Sequence, residues 1–199
     1  MRTLFGILAA ATVALSIASP AKADLITNGG FETGDFTGWI HGGNLGDTSV
    51  GSFPIAPNSG NFAAELGPIG SDGTLSQTIT TVVGDVYQLS YFHIYALGDN
   101  TPDDWSVSFD GMLLQSEANV STPQTWTQYT FDVTAVDTSA TLLFAFRDDP
   151  SFQGLDDVSL VDLGPATSVP EPASLALLAS GLIALGLITR RKPARLPVD

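Results

Sequence analysis

Carboxylates are the main chemical resource of this sequence. Three adjacent pairs, Asp103-Asp104, Asp148-Asp149 and Asp156-Asp157, suit either of two chemistries. One is acid–base hydrolysis of a glycosidic bond, and the other is coordination of a hard divalent cation. Hydrolysis needs two carboxyl groups at a fixed separation across a cleft. Neighbours on one strand point to opposite faces, so none of these pairs is a dyad by itself. Cysteine is absent, and the two histidines, His41 and His93, stand at unrelated positions. Thiol catalysis, disulfides and thiolate metal sites are therefore excluded, and a zinc site has little material. No Gly-x-Ser-x-Gly elbow, His-Glu-x-x-His helix or phosphate loop occurs. The chain reads as non-catalytic. A sugar ligand would instead need an exposed aromatic face with polar neighbours, which Tyr91, His93, Tyr95 and Trp105 could supply; the competing expectation packs all four inside a sheet.

Charge narrows the partners. The formal net charge is −14, and between Asp24 and Pro170 Arg147 is the only basic side chain against 19 carboxylates. Phosphate neutralisation takes clustered Lys and Arg, so the domain does not bind nucleic acid. Such an excess of acid keeps a surface soluble and attracts divalent cations.

The elements that must position these groups are strands. Residues 74–80 alternate apolar and polar, 86–95 are rich in β-branched and aromatic types, and 105–109 alternate cleanly. Asp110-Gly111 then leads into 112–114, a strong hairpin signal. Residues 126–133 place Tyr129, Phe131 and Val133 on one face, and 141–146 and 155–163 complete the set. Trp39 and Trp126 read as core, and the acidic stretch 99–104 reads as a second cation site or a solvated loop, the loop being the favoured reading. Residues 28–68 are rich in loops and resist assignment. Eight or nine short strands, without a useful amphipathic helix, predict an all-β, antiparallel two-sheet β-sandwich.

Both ends read as processing segments. Residues 1–23 carry Arg2, an apolar run and Ala21-Lys22-Ala23, the pattern of a cleaved signal peptide. The domain spans 24–164 and a linker 165–172, which ends in Val169-Pro170-Glu171-Pro172. An uncharged stretch at 173–189, about 17 residues, is just long enough for a transmembrane helix. Arg190, Arg191 and Lys192 then open a basic tail, 190–199, that stops transfer and stays cytoplasmic. A plain membrane anchor would share this layout. Pro-Glu-Pro, span and Arg-rich end, in that order at the terminus, resemble the PEP-CTERM sorting signal of Gram-negative exopolysaccharide producers. The resemblance implies an exosortase-type processing protease as partner. It also implies an inner-membrane intermediate and a final place at the cell surface or in the extracellular matrix.

Within the domain, Asn28-Gly29-Gly30-Phe31-Glu32 leading to Gly38-Trp39 is similar to the opening of jelly-roll, galactose-binding-like carbohydrate-binding modules. Residues 126–131 resemble a core strand of those modules and residues 155–160 their last strand. The resemblance implies a structural Ca²⁺ held by the Gly30 carbonyl, Glu32, the loop of Asn58 to Asn61, and Asp156. It further implies association with extracellular polysaccharide. The competing functions are an acidic matrix protein joined by calcium bridges, with no sugar binding, and a glycoside hydrolase using a scattered carboxylate pair.

Overall fold

The computed structural model describes residues 22–96, 102–120, 125–166 and Ser180. The predicted sorting motif, basic tail, nearly all of the signal peptide and all of the membrane segment but Ser180 lie outside these residues.

Among the described residues ten strands form: β1 (Ile40–Gly43), β2 (Thr48–Gly51), β3 (Ala63–Leu66), β4 (Gly73–Thr80), β5 (Asp85–Tyr95), β6 (Asp103–Phe109), β7 (Met112–Ala118), β8 (Thr127–Thr134), β9 (Ser139–Asp148) and β10 (Gln153–Pro165). They make two five-stranded antiparallel sheets, ordered β1-β4-β9-β6-β7 and β2-β3-β10-β5-β8. The all-β sandwich expected from sequence is the fold observed. Strict alternation along β4, β5, β6 and β9 turns one side of each strand inward. Leu75, Leu89, Val107, Leu142, Phe144 and Leu160 meet between the sheets, fully buried. Asp110 and Gly111 both take positive φ, 50° and 78°, and close the β6–β7 hairpin with Phe109 opposite Met112.

Three expectations change. The extra strands β1, β2 and β3 fall in the region that resisted assignment. Each has four residues, too few to show a period, and β3 is buried along its whole length. Residues 103 and 104 open β6 rather than belonging to a solvated loop, and the Asp103 side chain is buried. Trp126 lies outside the inter-sheet core. Its ring covers the outer face of the second sheet, where a Cβ on Gly154 would stand 2.7 Å from its Cη2.

Strand β10 joins the chain ends. It lies between β3 and β5, while Asp24 bridges to Val161 and the Leu25 N–H donates to the Leu160 carbonyl at 2.9 Å. Its register against β5 shifts between Asp156 and Ser159, a bulge with Asp157 at φ 50°.

Candidate functional site

The bulge brings together a set of oxygens from three parts of the chain. Asp156 is fully buried, and its Oδ2 accepts the N–H groups of Asn58 at 2.9 Å and Ser59 at 3.2 Å. Because of the bulge, Asp157 turns to the same loop instead of the opposite face. Its carboxylate accepts from Asn58 Nδ2 and Ser59 Oγ, both at 2.8 Å. Glu32 closes the other end of that loop, accepting from the N–H groups of Asn61 at 2.7 Å and Phe62 at 3.0 Å and from Asn61 Nδ2 at 3.1 Å. These bonds hold the Glu32 carboxyl below the usual range. Burial, with the Asp157 charge beside it, pushes Asp156 up to about 6 despite its N–H donors.

The Asn-Gly-Gly-Phe-Glu run is shaped for this position. Asn28 and Phe31 adopt positive φ, 53° and 55°. The Asn28 amide donates to the carbonyls of Asp35 and Thr37, and Phe31 stacks on Trp39 with centroids 5.7 Å apart. Gly29 accepts the Val158 N–H at 3.0 Å, and a Cβ on Gly29 would sit 1.9 Å from the Val158 oxygen. Gly30 passes close to the acids, its virtual Cβ 3.9 Å from Asp156 Oδ1.

Gly30, Glu32, Asn58, Asn61 and Asp156 are therefore neighbours in space. Their donor set is all oxygen, carboxylate, amide and carbonyl, which suits Ca²⁺. Among the described residues no three acidic or imidazole side chains converge on one point. A cation there would draw on Asp156, the Gly30 carbonyl and the acceptor capacity that Glu32 and Asp157 retain beside their N–H donors.

The aromatic candidates fare differently. Tyr91, His93, Tyr95 and Trp105 are all buried and present no face to solvent. Inward alternation on β5 and β6 put them there. His93 lies flat on Trp105, centroids 3.9 Å apart, and meets Tyr95 edge-on at 4.8 Å. Its Nε2 lies 3.1 Å from Gln153 Oε1, so this nitrogen carries the proton, and burial pulls the imidazole down to about 3.

Surface aromatics occur where sequence reasoning did not look. A cleft of about 370 Å³ is lined by Asp47, Thr48, Ser49, Phe53, Pro54, Glu65 and Phe152. Phe53 is 86% exposed at its rim. Glu65, 3% exposed, accepts from Ser49 Oγ through Oε2 at 3.1 Å, while its buried Oε1 has no partner. Pro54 also borders a second hollow of about 330 Å³, lined by Ile55, Ala56, Ile94, Ala96, Thr125 and Trp126. The only sequence signal was two phenylalanines set in Gly- and Pro-rich loops. Loops show no period, so burial could not be read there.

The two-sheet fold is similar to that of several carbohydrate-binding-module β-sandwiches. The carbohydrate-binding module TmCBM61, solved with β-1,4-galactotriose, has a TM-score of 0.55 at 19% identity, over 70% of this chain and 99% of that one. A CBM22-1 xylan-binding domain from Paenibacillus barcinonensis Xyn10C gives 0.53 at 18%, over 75% and 100%. An enzyme shares the architecture too: the Stig cyclase Fisc from Fischerella sp. gives 0.50 at 14%, over 73% and 100%. The C-terminus is more particular. Residues 168–192 match the PEP-CTERM protein-sorting motif, so the chain carries that signal, the mark of an exported protein. No curated protein sequence matches the chain.

Proposed function

We propose that the chain is a non-catalytic, surface- or matrix-associated protein whose domain binds neutral extracellular polysaccharide in the Phe53 cleft. One observation carries this reading: an exposed aromatic ring beside a buried carboxylate with an unpaired oxygen. Pyranose rings offer apolar C–H faces that pack on an aromatic, and hydroxyls that donate to a carboxylate. Ser49 Oγ fixes one oxygen of Glu65 at 3.1 Å, while the other lies unpaired and buried behind it, so the carboxylate brings its negative charge to the floor of the cleft. The sorting motif supports a supply route, with the tail cut by an exosortase-type protease and the domain left outside the cell. Ca²⁺ at Asp156 would staple the last strand to the early loops, its binding energy adding to folding.

Affinity electrophoresis of the purified chain in gels of neutral β-glucan, galactan and host exopolysaccharide tests the cleft. Retardation by at least one polymer, reduced at least about tenfold in Phe53→Ala and in Glu65→Gln, is the expected result. No retardation in any gel, together with calcium-dependent self-association, would assign the chain to the acidic-matrix reading. Asp47 and Glu65 lining one cleft is the observation that favours hydrolysis. Release of reducing sugar from a retarding polymer, lost in Glu65→Gln, would establish that alternative.

A further inference from the structure

Where β5 stops and β6 begins, the core turns polar. Asp103 and Asp148 stand directly opposite each other in the β6–β9 ladder, both facing inward, 3% and 1% exposed. Like charges paired across one sheet face repel, and each buried carboxylate also forfeits its hydration. Asp103 accepts the Val120 N–H at 3.0 Å, but neither oxygen of Asp148 has a hydrogen-bond partner. The one ion pair among the described residues, Arg147 with Asp149, leaves both acids without a cation.

Two hydroxyls point the same way. Tyr95 and Ser151 are almost completely buried, and both Tyr95 OH and Ser151 Oγ are unpartnered. The His93–Trp105 stack, centroids 3.9 Å apart, joins β5 to β6, and two residues away along the inward face of each strand stand Tyr95 and Asp103. Burial first, then the charges of Glu117, Asp103 and Asp148, hold the Tyr95 phenol well above its ordinary pKa. Ser151 donates its N–H to the Asp148 carbonyl at 2.9 Å, in the turn that follows β9. A phenol and an alcohol without partners, beside a carboxylate without partners, cannot be explained by surface solubility.

The geometry points to a second hard-cation site, in which Asp148 and Asp103, with the Tyr95 and Ser151 hydroxyls, hold one Ca²⁺-class ion inside the sandwich. A proton shared by the two acids would remove one charge and leave the hydroxyls unpaired. A divalent ion neutralises both charges and collects all four groups. Oxygen-only donors of this kind select Ca²⁺ over zinc or copper. The site lies between the sheets, whereas the Asp156 cluster lies under the 58–61 loop, so it stands or falls independently of that cluster and of sugar binding.

The test is calcium titration by isothermal calorimetry on the full chain in detergent micelles, stripped with chelator. Asp148→Asn should lower the number of ions bound by one, whether or not Asp156→Asn lowers it too. Tyr95→Phe keeps the ring and removes only the hydroxyl. It should raise the melting temperature without calcium, because an unsatisfied buried hydroxyl is gone, and weaken one calcium site about tenfold. Tyr95→Phe also decides the matter if Asp148→Asn does not fold. Titrations of Asp148→Asn and Tyr95→Phe that superimpose on that of the parent chain would overturn the site and leave the acids sharing a proton.

Discussion

The buried carboxylate of Asp156 accepts the Asn58 N–H at 2.9 Å, which ties the last strand to a loop 98 positions earlier. The same oxygen takes the Ser59 N–H, and Oδ1 caps Asp157 at 2.8 Å. Asp156→Ala leaves three backbone donors without their acceptor in a part-buried setting. The expected loss is about 2–4 kcal/mol, read as a lower urea midpoint at unchanged slope.

Calcium and pH should interact at the two buried acids, Asp156 under the 58–61 loop and Asp148 between the sheets. Asp156 rises to about 6 and Asp148 to about 7, both above the unfolded carboxyl value. A native acid that binds its proton more tightly stabilises the fold at low pH, and that gain disappears as pH climbs through the folded pKa. Without calcium, these two groups therefore lower stability between about pH 4 and pH 7. A cation competes with those protons, so calcium should raise the melting temperature more at pH 7.5 than at pH 5. Equal increments at both pH values would show that neither acid binds it.

Gly29 is a matter of space, not of chain freedom. The Cβ of Gly29→Ala would lie 1.9 Å from the Val158 oxygen, a backbone atom that cannot swing aside. Relief would break the bond between the Val158 N–H and the Gly29 carbonyl, so the cost is about 3 kcal/mol or more. Gly84 makes the contrast. It has φ 88° and nothing near its virtual Cβ, so Gly84→Ala meets only backbone strain, about 1–2 kcal/mol. Thermal unfolding of the two variants side by side measures the difference.

Strands β4, β5, β6 and β9 were legible because one face of each is buried and the other is not, which writes a period of two into the sequence, whereas β7, with no buried residue, was legible only from the Asp110-Gly111 turn before it. The same alternation assigned Trp105 and the β5 aromatics to the interior as the competing expectation. It failed at Asp156-Asp157, where a bulge turns two adjacent acids toward one loop. It also failed at Trp126, which stands just before β8 and packs on the outside of its sheet. The cluster of Glu32, Asn58 and Asp156 was reachable only through resemblance, since these positions share no local pattern. The Phe53 cleft was not legible. Its parts come from 47–54, 65 and 152, brought together by β2, β3 and the turn before β10. No spacing in the sequence encodes that meeting.

His93 should contribute acid sensitivity. Its folded pKa falls to about 3, below the unfolded value near 6.5, so the unfolded chain binds the proton between those limits. Its stabilising share is complete above about pH 6.5 and is lost as pH falls toward 3. Between pH 7 and pH 4.5 the loss is about 2–3 kcal/mol. Asp148 and Asp156 run the opposite way, so the His93 share must be read as a difference between chains. His93→Phe keeps a ring on Trp105 and leaves Gln153 Oε1 unpaired, so it is less stable than the parent at pH 7. Its deficit should shrink by about 2–3 kcal/mol at pH 4.5; a constant deficit would contradict a neutral buried imidazole.

Charge predicts which polymers the cleft accepts. Asp47 and Glu65 line it, and Arg147, the lone basic side chain of 24–170, is held by Asp149 and is not part of its lining. Uronate-rich polymers would bring carboxylates against carboxylates, at a cost that grows as salt falls. Neutral polymers meet only hydroxyl acceptors and aromatic rings, so their binding should change little between low and physiological salt. The measurement is retardation in paired gels of a neutral galactan or glucan and of alginate, at two salt concentrations, with and without chelator. Salt-insensitive retardation by the neutral polymer alone is expected. Retardation by alginate that chelator abolishes would mean that calcium bridges the two acidic surfaces, and would move the binding function from the cleft to the acidic surface.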